Sequence, residues 1–201
     1  MISTVKKHFD QLSDRYTQSS GSLLWRRQRK RETDAVDLFM GQVTGEEILD
    51  LGCGAGHYTR HFLGKGARHI TAVDISSSMI SQLPKANVTG MVEDATKIHL
   101  EKKFSNIVCA GLLEFVVAPG DVLGCARKLI KNDGHMVCLL PPDNLFGRLY
   151  RAYHRRHDFE INLFQKSYFE GLCADAGWTV GAHRFVFPYT DVYCLTPRLE
   201  Q

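Results

Sequence analysis

The residues of this chain best equipped for chemistry are three aspartates and a short run of glycines. ILDLGCGAG, residues 48–56, is an apolar stretch that rises into Asp50 and then sets Gly52, Gly54 and Gly56 at alternate positions. Glycine tolerates positive φ and carries no Cβ, so a loop built this way lets its backbone come very near a bound molecule. Asp74 follows 22 positions after Gly52, and Asp94 stands behind a further apolar run. A carboxylate at Asp74 can accept two hydrogen bonds from the vicinal hydroxyls of a ribose, and one at Asp94 can accept from an exocyclic amine such as that of adenine. Any one of the three alone reads as a helix cap or a surface charge. Three in successive strand-loop units, the first in a glycine-rich loop, predict a site for an adenosine-like nucleoside.

Strands and helices in alternation must deliver those aspartates to one edge. Apolar runs predict strands at residues 46–52, 69–75, 88–93, 104–110 and 135–140, with a helix opening at His57 and another after the serines 76–78, stopped by Pro84. Residues 116–130 read as a helix ended by Asn132, Asp133 and Gly134, and Pro141 and Pro142 stop the fifth strand. A helix over 165–176, capped by Gly177, precedes two last strands at 178–187 and 191–195, whose short link through Pro188 and Tyr189 suits a hairpin. The pattern predicts an α/β, Rossmann-like, doubly wound fold: a seven-stranded, mostly parallel sheet with an antiparallel last strand and helices on both faces. Ligands of such sheets bind outside the carboxyl ends of the strands, where strand order reverses, and Asp50, Asp74 and Asp94 all fall at such ends.

A chain of 201 residues with 44% hydrophobic content supports one substantial core. A single domain is expected over 1–201, with a helical N-terminal cap (1–45), a ligand-binding core (46–142), an insertion or lid (143–164) and a C-terminal helix and strand hairpin (165–201). In the cap, Val5, Phe9, Leu12 and Tyr16 share one helical face. The basic run WRRQRKR, residues 25–31, reads as a solvated helix face or as a surface for an acidic partner. A net charge of +3 does not point to nucleic acid. The six cysteines form no CxxC pair and read as small core residues of a reducing compartment, no metal is expected, and neither a signal peptide nor a membrane span is predicted. A cytoplasmic location follows.

The glycine spacing separates the nucleotide classes. A dinucleotide loop has G-x-G-x-x-G, with a helix N-terminus facing the pyrophosphate, whereas this chain has G-x-G-x-G behind an aspartate, which disfavours a nucleotide-dependent oxidoreductase. At these residues the chain resembles the class I S-adenosylmethionine-dependent methyltransferases that act on small molecules. DLGCGAGHYT looks like the family's first motif, VDIS followed by Met79 like the second, VEDA like the third, and FSNIVCAGLLEFV like the fourth strand and its loop; KNDGHMVCLLPP resembles the next strand. The likeness covers residues 46–142 by motif and 165–195 by strand order. It implies S-adenosylmethionine as cofactor, leaving as S-adenosylhomocysteine. It further implies that Gly52, Cys53 and Gly54 run along the methionine and ribose, with Asp50 near the amino group, and that Asp74 holds the ribose. Ile75 and Met79 would flank the adenine, Asp94 and Ala95 meet its edge, and Ala110 and Gly111 line the sulfonium side. Tyr16 stands where many relatives close a tyrosine over the cofactor, and is equally a core position of its helix. Where many relatives have a histidine after the glutamate of the fourth loop, this chain has Phe115.

On the acceptor side, residues 144–164 join the fifth strand to the next helix at the same carboxyl edge. Phe146, Leu149, Tyr150 and Tyr153 share a helical face, and arginines occupy other positions around it. Three readings stand open: a lid over an aromatic or lipid-like acceptor, a basic amphipathic helix touching an anionic membrane, and a packed helix with a wet face. Phe115, Phe146, Tyr150 and Tyr153 are the candidate acceptor contacts. His154 and His157 are the candidate bases, each also readable as a surface histidine. The expected reaction passes the methyl of S-adenosylmethionine to an O, N or C nucleophile of a small, anionic or amphiphilic metabolite, as in the quinone-type and porphyrin-carboxylate methyltransferases this chain resembles. The rivals are a cofactor-binding regulatory subunit without turnover and an RNA methyltransferase. Oligomeric state is not legible.

Overall fold

The computed structural model describes residues 23–156 and 160–199; the expected helix face bearing Tyr16 and the candidate base His157 lie outside them. Helix α1 (Leu23–Met40) leads into β1 (Glu47–Leu51), α2 (His57–Gly64), β2 (His69–Asp74), α3 (Ser77–Ile80), β3 (Val88–Val92) and β4 (Phe104–Ala110). Then come α4 (Pro119–Leu129), β5 (Ile130–Leu140), α5 (Leu145–Arg155), α6 (Lys166–Asp175), β6 (Trp178–Val186) and β7 (Thr190–Pro197).

The seven strands form one sheet in the order β3-β2-β1-β4-β5-β7-β6. Pairs from β3 through β5 are parallel, while β7 runs antiparallel to both β5 and β6. The expected hairpin is present, and its second strand slides inside the first. Burial explains the choice: β7 offers Val192 to one face of the sheet and Tyr193 and Leu195 to the other, whereas β6 alternates with exposed residues and tolerates the edge. From β1 the chain winds outward to β3 and returns to the other side of β1 at β4. The order therefore reverses between β1 and β4, which opens a crevice at their carboxyl ends.

Alternation along the strands divides the core between the two faces. Leu49, Leu51, Ile107, Cys109, Met136 and Cys138 face α4 and α6, which bring Val122, Leu123, Phe169 and Cys173. Ile48, Ile70, Val108, Val137 and Leu139 face α1 and α2, which bring Val36, Met40, Tyr58 and Phe62. All six cysteines are free thiols. On α1 the apolar side packs on β5, β6 and β7, while Arg26, Arg27, Lys30 and Arg31 of the basic run are exposed. No described helix is long and apolar enough to cross a membrane.

Two local differences from the expected elements bear on the site. The helix predicted over 116–130 is shorter: Pro119, whose missing N–H costs nothing in a first turn, opens α4, and a separate 3-10 turn holds Leu113–Phe115. The loop after β4 thereby stays outside helix and keeps Glu114 and Phe115 at the sheet edge. The second difference lies at the start of β5. Instead of a turn ending at Gly134, the chain stays extended from Ile130, but Phe104 pairs with Ile130 and Asn106 with His135, so the residues between bulge away from β4.

Candidate functional site

The glycine loop is folded back onto the end of β2 by its own backbone. The N–H groups of Gly52 and Cys53 both donate to the carbonyl of Val73, at 2.8 and 3.0 Å. The Asp74 carboxylate then bridges two loops, accepting from Gly54 N at Oδ2 and from Ser76 N at Oδ1, both at 2.9 Å. A carboxylate has about four lone-pair sites, so this clamp orients the group and still leaves it acceptor capacity for hydroxyls. Gly52 and Gly54 both have positive φ, at 70° and 50°, but their surroundings differ. A Cβ at Gly52 would lie 2.8 Å from the Cβ of Leu112, so this glycine lets the loops after β1 and β4 touch. At Gly54 a Cβ would meet nothing within 4 Å among the described residues. The open approach to the backbone is at Gly54.

Asp50 lies beneath that loop, 1% exposed, and accepts a 2.6 Å hydrogen bond from Thr59 Oγ1 on α2. Burial pushes its carboxyl up to about 7, the Thr59 bond pulls the other way, and the charge of Asp74 adds to the rise. Burial likewise raises the Cys53 thiol, which stays protonated beside Gly54. Asp94 caps its own turn: Oδ1 accepts from the N–H and hydroxyl of Thr96, at 2.9 and 2.7 Å. What Asp94 can offer a ligand comes from its other oxygen. Ile75 is half-buried next to Asp74, whereas Met79 and Ala95 are almost fully buried. Ala110 and Gly111 end β4 at the crevice.

The sequence motifs gave no role to Glu114. It is 5% exposed, and Oε2 has no hydrogen-bond partner among the described residues. Its Oε1 lies 3.8 Å from where a Cβ on Gly111 would stand, so the carboxyl faces the loop after β4. Burial pushes it up to about 8; its own backbone N–H lowers it, and the charge of Glu32 on α1 raises it. Asn162 fixes the turn that carries it: the Asn162 N–H donates to Glu114 O at 2.8 Å, and Nδ2 donates to Val116 O at 2.7 Å and Leu113 O at 3.3 Å. Glu32 in turn accepts from Thr190 Oγ1 at 2.6 Å and from Gln28 Nε2 at 3.0 Å, tying α1 to β7.

Aromatic rings continue from this acid toward α5 and the β6–β7 turn. Phe115 meets His154 edge-on at 5.7 Å, His154 meets Tyr150 at 4.5 Å, Tyr150 stacks on Tyr189 at 6.2 Å, and Tyr189 lies 5.9 Å from Trp25. Four separate parts of the chain thus supply one ring wall. A groove of about 390 Å³ adjoins it between α1 and the start of α2, lined by Trp25, Arg29, Thr33 and His57 among others. Burial, reinforced by the charges of Arg29, His61 and Arg60, lowers His57 to about 4, so it is neutral at pH 7. Of the expected acceptor contacts, the structure gathers Phe115 and Tyr150, and the candidate base His154 lies between them. Tyr153 touches His154 but is largely exposed, and Phe146 turns outward to Phe187. Among the described residues no cluster of three or more metal-ligating side chains occurs. The one signal in the sequence for Glu114 is an acid inside the apolar run GLLEFVV; nothing local marks Trp25, Glu32, Asn162 or Tyr189.

Comparison with known proteins places this arrangement. Residues 24–183 match the family described as methyltransferase domain. Among curated proteins, the ubiquinone biosynthesis O-methyltransferase of Pasteurella multocida is 29% identical over 109 residues, which cover 46% of this chain and 45% of that protein. That of Glaesserella parasuis is 30% identical over 102 residues, covering 45% and 43%. The chain matches less than half the length of these relatives. Among solved structures, magnesium protoporphyrin IX methyltransferase from Synechocystis, with S-adenosylhomocysteine bound, aligns with a TM-score of 0.75 at 16% identity, over 97% of this chain and 99% of that one. A putative methyltransferase of Haloferax volcanii, in complex with an activator protein, reaches 0.83 at 15% identity, over 98% and 99%. At such identities the structures speak for the fold, and the family match over most of the chain speaks for descent: this chain belongs to the methyltransferase-domain family, the class I S-adenosylmethionine-dependent methyltransferases.

Proposed function

We propose that the chain transfers the methyl group of S-adenosylmethionine to an oxygen, nitrogen or carbon nucleophile of a small anionic or amphiphilic metabolite. The observation that carries this reading is the charge of the crevice. Asp50, Asp74 and Glu114 stand around it, two of them buried, and one Glu114 oxygen has no partner among the described residues. A buried carboxyl without a partner is costly, and a cationic ligand relieves that cost. S-adenosylmethionine carries an ammonium and a sulfonium, which favour ionisation of the two buried acids, whereas the pyrophosphate of a dinucleotide would meet the charge of Asp74 and gain nothing from the other two.

When bound, the cofactor supplies a methyl already activated by its sulfonium, which leaves the chain to bind, orient and exclude water. Asp74 would hold the ribose hydroxyls, and the backbone around Gly52, Cys53 and Gly54 the methionine side, with Asp50 near the amino group. Ile75, Met79, Asp94 and Ala95 would surround the adenine, Ala110 and Gly111 would border the sulfonium, and Tyr16 would close from the N-terminal segment. Phe115, Tyr150 and His154 would flank the acceptor, with His154 bringing from α5 an imidazole that the loop after β4 lacks. A base there contributes when the acceptor must lose a proton.

Isothermal titration with S-adenosylmethionine, S-adenosylhomocysteine and NAD tests the reading. The two sulfur nucleosides should bind and NAD should bind far more weakly; the reverse order would remove it. S-adenosylmethionine should also bind more tightly at pH 8 than at pH 6, with proton release, because the cation favours ionised Asp50 and Glu114. Phe115 favours one second reading, a cofactor-binding subunit without turnover. Methyl-labelled cofactor offered with a panel of phenols, quinols and carboxylated metabolites separates the two.

A further inference from the structure

We infer that α5 and the β6–β7 turn form a docking surface for an anionic lipid bilayer. The orientation of α5 carries the inference. Gly147 is buried and Tyr150 and His154 half-buried, so this face of the helix is turned to the protein. The N-cap Asn144 accepts from Gly147 N at 2.8 Å, and Gly147 packs directly on Pro142, where a Cβ would collide with the carbonyl oxygen. The opposite face carries Leu145, Leu149 and Tyr153, four residues apart, with Phe146 alongside. Leu145 is 69% exposed and Leu149 and Tyr153 59% each, so the apolar stripe of this helix faces away from the fold. The stripe does not end with the helix. Phe146 meets Phe187 edge-on at 5.3 Å, and Phe187, 57% exposed, meets Phe185.

Charge identifies the occupant. Arg148 and Arg155 border the stripe and Arg156 follows it, all three exposed, with Arg151 half-buried nearby. Asp143 pairs with Arg148 and Glu160 with Arg155, each at 2.7 Å, and the sequence of the segment stays cationic, with four arginines against three acids in residues 143–160. An apolar face edged by arginines suits the boundary between anionic headgroups and acyl chains, where guanidinium groups meet phosphate while leucine and aromatic side chains leave water. A second copy of this chain would set the same arginines against one another. The inference does not depend on which cofactor or acceptor the crevice takes.

Co-sedimentation of the full chain with vesicles tests it. The wild type should sediment with phosphatidylcholine vesicles containing phosphatidylglycerol, should not sediment with phosphatidylcholine alone, and should be released by salt. Leu145→Asp with Leu149→Asp should lower binding by about tenfold or more, since each exposed leucine loses its apolar gain. Melting temperature and S-adenosylmethionine affinity report whether that variant still folds. A milder variant, Arg151→Gln with Arg156→Gln, keeps the stripe and should weaken binding and flatten its salt dependence. Equal sedimentation with both vesicle types, no sedimentation at low salt, or light scattering showing a dimer that Leu149→Asp dissociates would each overturn the proposal.

Discussion

The two sides of the crevice are built by different means. On the β1–β2 side the backbone does the positioning: Asp74 is clamped by the N–H groups of Gly54 and Ser76, and the glycine loop hangs from one carbonyl of β2. On the α5 side the positioning falls to side chains, in a ring contact series from Phe115 to Trp25 and in Asn162 holding the turn of Glu114. Backbone-held groups keep their geometry whatever the neighbouring side chains are. A wall assembled from four distant parts of the chain can be re-cut residue by residue, which suits a family that shares one cofactor and differs in acceptor.

The largest expected effect contrasts the two buried acids. Asp50 has Thr59 as a donor, whereas Glu114 has one oxygen unpartnered among the described residues. Both carboxyls are raised by burial, Asp50 from 3.8 to about 7 and Glu114 from 4.5 to about 8. A raised acid stabilises the fold fully below its unfolded pKa, and that contribution is lost as pH rises to the folded value, because there the unfolded chain binds fewer protons. Stability of the free protein should therefore fall between about pH 5 and 8, by about 1.4 kcal/mol per unit for each group. Glu114→Gln should remove its share, of order 4 kcal/mol, leaving the variant more stable than wild type at pH 8 and similar at pH 4. Urea melts across this range give the answer, and a flat wild-type profile would count against both assignments.

Next in size is the glycine that joins the two sides. Gly52→Ala forces a Cβ against Leu112 at positive φ, and should cost about 2–3 kcal/mol from crowding and backbone strain. In a Leu112→Gly background, which lacks the opposing Cβ, the crowding part of that cost should disappear. If Gly52→Ala costs as much there as in wild type in thermal melts, Gly52 is not held by that contact. Asp74→Ala should follow, weakening S-adenosylmethionine binding by about 1–3 kcal/mol by titration. Unchanged affinity would release Asp74 from the ribose.

The contrast also sets what the sequence reveals. The strands and helices through β5, the hairpin and the aspartates at strand ends are legible because strand patterns, glycines and acids act at fixed local spacing. The slide of β7 between β5 and β6 is not, since it turns on which of two short strands buries both its faces. Glu114 was visible only as part of a motif, because a carboxyl in an apolar run is equally a surface charge until burial is known. Phe146 and Tyr153 show the reverse: both share a helical face with Tyr150, yet the close seat of Gly147 on Pro142 rotates that face partly outward. Asn162→Ala tests a contact of this non-local kind. It deletes two donors to the Glu114 turn and should cost about 1–2 kcal/mol, with a larger effect on turnover than on cofactor affinity. Equal loss in both would make Asn162 a general support of the fold.

The smallest effect separates two arginine-rich helices that look alike as strings. In α1 the exposed cations stand opposite the buried face of Ala35, Val36 and Met40, and Lys30 pairs with Asp34 at 2.8 Å in full solvent. In α5 the cations border an exposed apolar stripe. A wet charge backed by a packed helix contributes little, about 0.5 kcal/mol or less for such a pair, because water and salt screen it. Arg27→Gln with Lys30→Gln should therefore leave stability within about 0.5 kcal/mol, cofactor affinity unchanged and vesicle binding undiminished. If RNA binding with a steep salt dependence appears in wild type and is lost in this variant, the run on α1 is a nucleic-acid surface and the small-metabolite reading must yield. If vesicle binding falls as much as in Arg151→Gln with Arg156→Gln, net charge rather than the stripe governs the membrane, and the distinction between the two helices fails.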